Sequence, residues 1–182
     1  IIFRSGHGIV ELIFEKYGIL SKNEHVSGLE NVKILGTAAV MIFPDGLLSY
    51  LEFQEKLEKI KGKQIVVILN QCFSGQFTDI AMNLDHTVVI SETNELEMAF
   101  NPTRKTKRVE HNVWPFVKCI CDGFIENGNG EEKQSVLNAF QYMLKCNPNV
   151  NGVPIKADRP LWKEGPQIKY GNGLKKGSVF IN

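Results

Sequence analysis

Gln64-Ile65-Val66-Val67-Ile68-Leu69-Asn70-Gln71-Cys72-Phe73-Ser74-Gly75 is the stretch on which the fold turns. An unbroken β-branched and aliphatic run of this kind is what a strand buried on both faces of a parallel sheet requires, because neither set of alternating side chains meets water. The run stops at two amides and a cysteine, and Ser74-Gly75 then turns the chain. Upstream, Pro44-Asp45-Gly46 is a turn signal, and Ser49 with Glu52 forms an S-x-x-E capping box that starts a helix over about Tyr50 to Lys59, closed by Lys61-Gly62-Lys63. Downstream, Thr78 to Met82 has room for a short helix, and Thr87-Val88-Val89-Ile90 is a second buried strand ending at Ser91-Glu92-Thr93-Asn94.

The chain opens on Ile1-Ile2-Phe3, a strand that breaks into the glycine-rich turn Arg4-Ser5-Gly6-His7-Gly8. A domain rarely begins inside its core sheet, so earlier strands are expected to be absent. Residues 9–43 read as an insertion, with helical spacing from Val10 to Tyr17, a polar stretch from Ser21 to Asn31, and an apolar Val32 to Phe43 suited to strands. Asn101 to Asn112 is a polar loop carrying Arg104, Lys105, Lys107 and Arg108. Trp114 to Ile125 has helical spacing, with Trp114, Val117, Cys121 and Phe124 on one face, and Glu131 to Leu144 is a second amphipathic helix. Asn147 to Gly173 is a Pro/Gly-rich return, and Ser178 to Asn182 supplies one more strand. Strands alternating with helices define an α/β class: a mostly parallel central sheet with helices on both faces, whose ligands bind beyond the carboxyl ends of its strands. His7 and Cys72 both lie at such ends.

With 182 residues and 43% hydrophobic content the chain suits a single domain over 1–182. Twenty-one basic against twenty acidic residues leave a charge of +1, which gives no footprint for nucleic acid. No apolar stretch approaches the ~20 residues of a membrane span, and no signal peptide opens the chain. A soluble protein is expected, with a lean to the cytoplasm. The four cysteines, at 72, 119, 121 and 146, have neither zinc spacing nor disulfide density. Cys119 and Cys121 sit in an apolar run and are expected to be buried structural thiols.

A thiol near its ordinary pKa of about 8.5 is mostly protonated at neutral pH and needs a base to become a nucleophile. His7 is the candidate base, because Gly6 and Gly8 leave the approach to its imidazole uncrowded. The N–H groups of Gly8 and Cys72 are candidate oxyanion donors. Asn70, Ser91 and Glu92, at the same strand ends, are candidate substrate-binding residues. Each element alone has an ordinary reading: a cysteine after a buried strand is usually structural, and a Gly-His-Gly turn often carries an exposed histidine. Their joint placement at the ends of neighbouring strands is what favours catalysis. His25, His86 and His111 lack that placement. A cysteine phosphatase is excluded because the residue six after Cys72 is Thr78 rather than arginine, whereas an acyltransferase would share the dyad and differ only in its acceptor.

Ser5-Gly6-His7-Gly8 resembles the S-G-H-G motif, and Asn70-Gln71-Cys72-Phe73-Ser74-Gly75 the D-x-C-x-S-G motif, of the caspase-like superfamily of cysteine peptidases, which includes caspases, metacaspases and legumains. The 65 residues between His7 and Cys72 (72 − 7) exceed the roughly 50 of caspases, and the stretch 9–43 accounts for the excess. Asp45 to Tyr50, Ile90 to Glu95, Trp114-Pro115-Phe116, and Gly165 to Ile168 followed by Ser178 to Ile181 resemble further segments of the family, the last being the approach to an edge strand. The resemblance implies a three-layer sandwich and a cysteine endopeptidase that needs no metal or organic cofactor and acts on a protein or peptide substrate. It also implies that the family's first two strands are missing. Two departures bear on specificity. Asn70 replaces the acidic residue of metacaspases and legumains, and Glu95 to Phe100 lacks the S-W-R segment with which caspases grip aspartate. Asp79, Glu92, Glu95 and Glu97 are carboxylates that keep a lean toward Lys or Arg before the scissile bond, although each taken singly suits solvated surface. The basic loop 104–108 suits a substrate rim or a self-cleavage site, or simply a solvated loop. A catalytically inactive caspase-like scaffold or regulatory module is the alternative function.

Overall fold

The structure, a computed structural model, describes residues 1–5, 8–14, 18–20, 34–43, 46–62, 64–95, 97–99, 115–126, 134–151 and 164–181. Its centre is a four-stranded sheet of β1 (Ile2–Ser5), β6 (Ile65–Asn70), β7 (Thr87–Ser91) and β9 (Gln167–Tyr170), in that spatial order. β1, β6 and β7 run parallel, and β9 closes one edge antiparallel to β7. The Ile65–Asn70 run is central, as its unbroken apolar character requires.

Alternate residues of the central strands serve two separate cores. Val66, Ile68, Val88 and Ile90 face α3 (Pro115–Glu126) and α4 (Val136–Cys146), meeting Phe116, Ile120, Val136, Phe140 and Met143. Val67, Leu69 and Val89 face the other way, onto Phe53 and Leu57 of α1 (Tyr50–Glu58), Phe77, and Ile80 and Ala81 of α2 (Ile80–Asn83). Helices therefore cover both faces of a mostly parallel sheet. The capping box at α1 is formed as read: Ser49 Oγ accepts from the Glu52 N–H, and the Ser49 N–H donates to the Glu52 carboxylate at 2.9 Å.

Within 9–43, Val10 to Phe14 is strand rather than the start of the expected helix, whereas the apolar run Val32 to Phe43 does supply a strand. β2 (Gly8–Phe14), β3 (Gly18–Leu20), β4 (Ile34–Phe43) and β5 (Gly46–Ser49) make a second, wholly antiparallel sheet in the order β3-β2-β4-β5. Val10, Leu12 and Phe14 alternate as well as they repeat at helical spacing, and so short a run is decided by pairing with β4 rather than by its own period. Buried Met41 of β4 ties this sheet to the core beneath α1.

Three further readings need correction. The buried face of α3 is Phe116, Cys119, Ile120 and Gly123, one residue round from the expected stripe, with Val117 and Phe124 flanking it and Cys121 exposed. The edge strand comes from Gln167–Tyr170 inside the expected Pro/Gly-rich return. The chain end, β10 (Phe180–Ile181), pairs instead with β8 (Gln134–Ser135) at the start of α4. Finally, Cys119 is joined to Cys146 in a disulfide that staples α3 to α4, with Cα atoms 5.7 Å apart. Positions 119 and 121 lie about 200° apart around a helix, so both could not face the same core. Breaking this cross-link across 27 residues by Cys146→Ser is expected to cost about 3 kcal/mol, seen as a lower urea midpoint under non-reducing conditions. No helix among the described residues is long and apolar enough to cross a membrane.

Candidate functional site

The site is built where β1, β6 and β7 end. β6 leads through Asn70 and Gln71 to Cys72, and Phe73 immediately after it adopts a left-handed conformation, φ 59° and ψ 20°. A bulky residue at positive φ is uncommon and turns the chain sharply, so the cysteine stands on an elbow between the strand and the 3₁₀ turn Ser74–Asp79. The elbow is held from beneath. The buried Ser74 N–H donates to Thr93 Oγ1 at 3.1 Å, the Thr93 N–H donates to Ser74 Oγ at 3.2 Å, and Thr93 Oγ1 donates to the Gln71 carbonyl at 3.3 Å. At Gly75 an added Cβ would lie 2.3 Å from the Asn94 carbonyl carbon, so the two loops approach as closely as backbones can only where a side chain is absent.

A polar chain crosses all three strand ends. Ser5 Oγ donates to Asn70 Oδ1 at 2.6 Å, and Asn70 Nδ2 donates to Glu92 Oε2 at 2.6 Å. Asn70 is 2% exposed, and its amide bridges Ser5 to Glu92. Ser91 is equally buried and donates to the Thr93 carbonyl at 2.9 Å, bracing the same loop. Glu92 is 0% exposed, and its second oxygen, Oε1, has no hydrogen-bond partner among the described residues. Burial and the nearby charge of Glu164, itself 3% exposed, push the Glu92 carboxyl well above the ordinary range, against the pull of the Asn70 amide.

That shift has a definite sign. The folded state holds the Glu92 proton more tightly than the unfolded chain, so stability falls as pH rises from the ordinary carboxyl value of about 4.3 toward the raised folded value. Glu92→Gln, which keeps an acceptor for Asn70, is expected to flatten this fall and to be the more stable protein on its alkaline side. Urea unfolding of both proteins across the acid-to-neutral range checks it.

The Cys72 thiol is half-buried, and Sγ accepts a hydrogen bond from the Ala99 N–H at 3.3 Å. Burial raises the thiol above its usual range; the Ala99 N–H opposes this, and the charges of Glu92 and Glu164 add to it. At neutral pH the group is therefore a thiol that needs a base to become a nucleophile. His7, like the basic loop 104–108, lies outside the described residues. Gly8 opens β2 opposite Met41 of β4.

Of the four carboxylates singled out in the sequence, Glu92 alone is buried within reach of Cys72. Asp79 pairs with Lys169, Glu95 accepts from the Gln167 amide at 3.1 Å, and Glu97 accepts from the Gly165 N–H at 2.7 Å. Glu164 and the Ala99 amide were missed by sequence reasoning. The first sits 92 positions after Cys72 (164 − 72) in a stretch without periodicity, and the second acts through its backbone, which no residue pattern advertises. Among the described residues no group of three or more His, Cys, Asp or Glu is arranged to hold a metal ion. No family profile and no curated protein matches this chain.

Proposed function

We propose that this chain is a caspase-like cysteine endopeptidase in which His7 is the general base and Cys72 the nucleophile. The observation that carries the reading is the register of β1 on β6: Ser5 is level with Asn70, and each candidate residue follows its strand end by two positions. The strand order β1-β6-β7-β9, with its antiparallel last member and helices on both faces, supports a caspase-like sandwich. In the reaction His7 takes the thiol proton, Cys72 Sγ attacks the peptide carbonyl carbon, and the N–H groups of Gly8 and Cys72 receive the oxyanion. Collapse breaks the C–N bond, the leaving amine takes the proton from His7, and water hydrolyses the thioester.

The lean toward a basic residue before the scissile bond rests on the buried carboxyl groups of Glu92 and Glu164 near Cys72, of which Glu92 is held toward its neutral form and would have to ionise to pair with a cation. The carboxylate that Asn70 lacks is supplied one strand over by Glu92, which Asn70 itself positions. Turnover of a fluorogenic peptide library varied at that position tests the assignment, with Lys and Arg expected to lead. Cleavage of no member of the library, together with Cys72 alkylating no faster than the exposed thiol Cys121, would move the inactive scaffold or regulatory module ahead. The raised thiol pKa is the observation that favours that second reading.

A further inference from the structure

We infer that residues 97–99 form an autoinhibitory strap that holds Cys72 at rest, with the Glu97 carboxylate as its latch. Three contacts define it. The Phe73 N–H donates to the Glu97 carbonyl at 2.7 Å, which fastens the strap to the elbow next to the nucleophile. The Ala99 N–H donates to Cys72 Sγ at 3.3 Å, while the Ala99 carbonyl oxygen lies 4.0 Å from the same sulfur. Ala99 thus spans the sulfur with both its polar backbone groups. The latch is the Glu97 side chain, whose Oε2 accepts from the Gly165 N–H at 2.7 Å and from the Asn94 N–H at 3.4 Å. One carboxylate oxygen therefore joins the strap to the segment before β9 and to the loop after β7.

The chemistry of attack makes this an inhibitory arrangement. A peptide carbonyl must come within about 3.5 Å of the sulfur to react, and Ala99 already occupies that distance. The lone pair needed for attack is engaged by the Ala99 N–H, which favours the thiolate but blunts its attack. Met98, between the two anchored residues, is exposed and contributes no hydrogen bond among the described residues. The strap therefore depends on its backbone contacts and on the latch, and releasing the latch frees Ala99 to swing off the thiol.

The inference rests on the reading of Cys72 as a nucleophile, and its test reads the thiol itself rather than turnover. Iodoacetamide labelling followed by peptide mass spectrometry gives the alkylation rate of Cys72 relative to Cys121, the other free cysteine. Glu97→Ala is expected to raise this ratio about tenfold, the shift that loss of one charge-assisted hydrogen bond gives. Glu97→Gln keeps an acceptor and is expected to give a smaller rise, and it decides the matter if the alanine variant fails to fold. Met98→Ala is expected to leave the ratio unchanged. An unchanged or lower ratio in the Glu97 variants overturns the strap, as does a rise in Met98→Ala equal to that in Glu97→Ala. A faster Cys72 in a protein that still cleaves no peptide would keep the strap and reject the peptidase, whereas turnover with an unchanged ratio would do the reverse.

Discussion

On the proposed mechanism, Cys72→Ala is expected to lower peptide turnover by about 10⁴-fold or more, because the group that forms the acyl intermediate is lost. His7→Ala is expected to lose about 10³-fold, and the loss should shrink as pH rises, since hydroxide progressively does the work of the missing base. The raised Cys72 thiol makes this dependence steep: burial and two nearby carboxylates hold it protonated at neutral pH, so little thiolate forms without help. The double variant should be no worse than Cys72→Ala alone, since the two residues act as a unit. Rates for the three variants from pH 6 to pH 10 are the measurement. Equal activity of Cys72→Ala and native protein would remove Cys72 from the mechanism. The in-protein reference for thiol reactivity is Cys121, because Cys146 is bonded to Cys119.

Gly75→Ala carries the second large effect. Its Cβ would fall 2.3 Å from the Asn94 carbonyl carbon and 2.6 Å from both Asn94 Cα and the Glu95 nitrogen, all of them backbone atoms that cannot rotate aside. The loop after β7 must then retreat, and it carries Thr93, the partner of Ser74 beneath the elbow. A cost of about 2–3 kcal/mol is expected from overpacking of this kind, together with a change in Cys72 alkylation rate. Gly62→Ala is the control, since the nearest atom to its Cβ is the Gln64 carbonyl oxygen at 3.8 Å. Urea unfolding separates the two variants, and equal midpoints would show that the loops part without cost.

How far the sequence could be read depends on which force shapes each element. β6, β7 and α1 were legible because one local signal settles each: unbroken burial for the strands, and the Ser49–Glu52 box for the helix. β4 was legible as the apolar run Val32 to Phe43, but β2 was not, since its strand character comes from pairing with β4. α3 was recognised as a helix but its inward face was misjudged, because apolar residues at 116, 117, 119, 120 and 124 make a stripe wide enough for two rotations, and only contact with α4 chooses between them. The cysteine elbow was visible through Ser74 and Gly75, each of which has a steric or polar duty there. The Cys119–Cys146 link was invisible, because four cysteines with no regular spacing do not reveal which two meet in space.

The bond from Ser5 to Asn70 also sets the alignment of β1. That strand has four residues, lies at the sheet edge, and alternates half-buried with exposed positions, so its apolar pattern says little about which rung it should occupy. A slip by two residues would keep every side chain on its own face and exchange Ile2 for Arg4 against the core. Such a slip would leave Asn70 Oδ1 without its 2.6 Å donor and loosen the amide that steadies Glu92. One hydroxyl thus acts as an index mark for the strand that precedes Gly6 and His7 in the sequence, and Ser5→Ala is expected to cheapen such a slip by about 1 kcal/mol, the worth of one hydrogen bond.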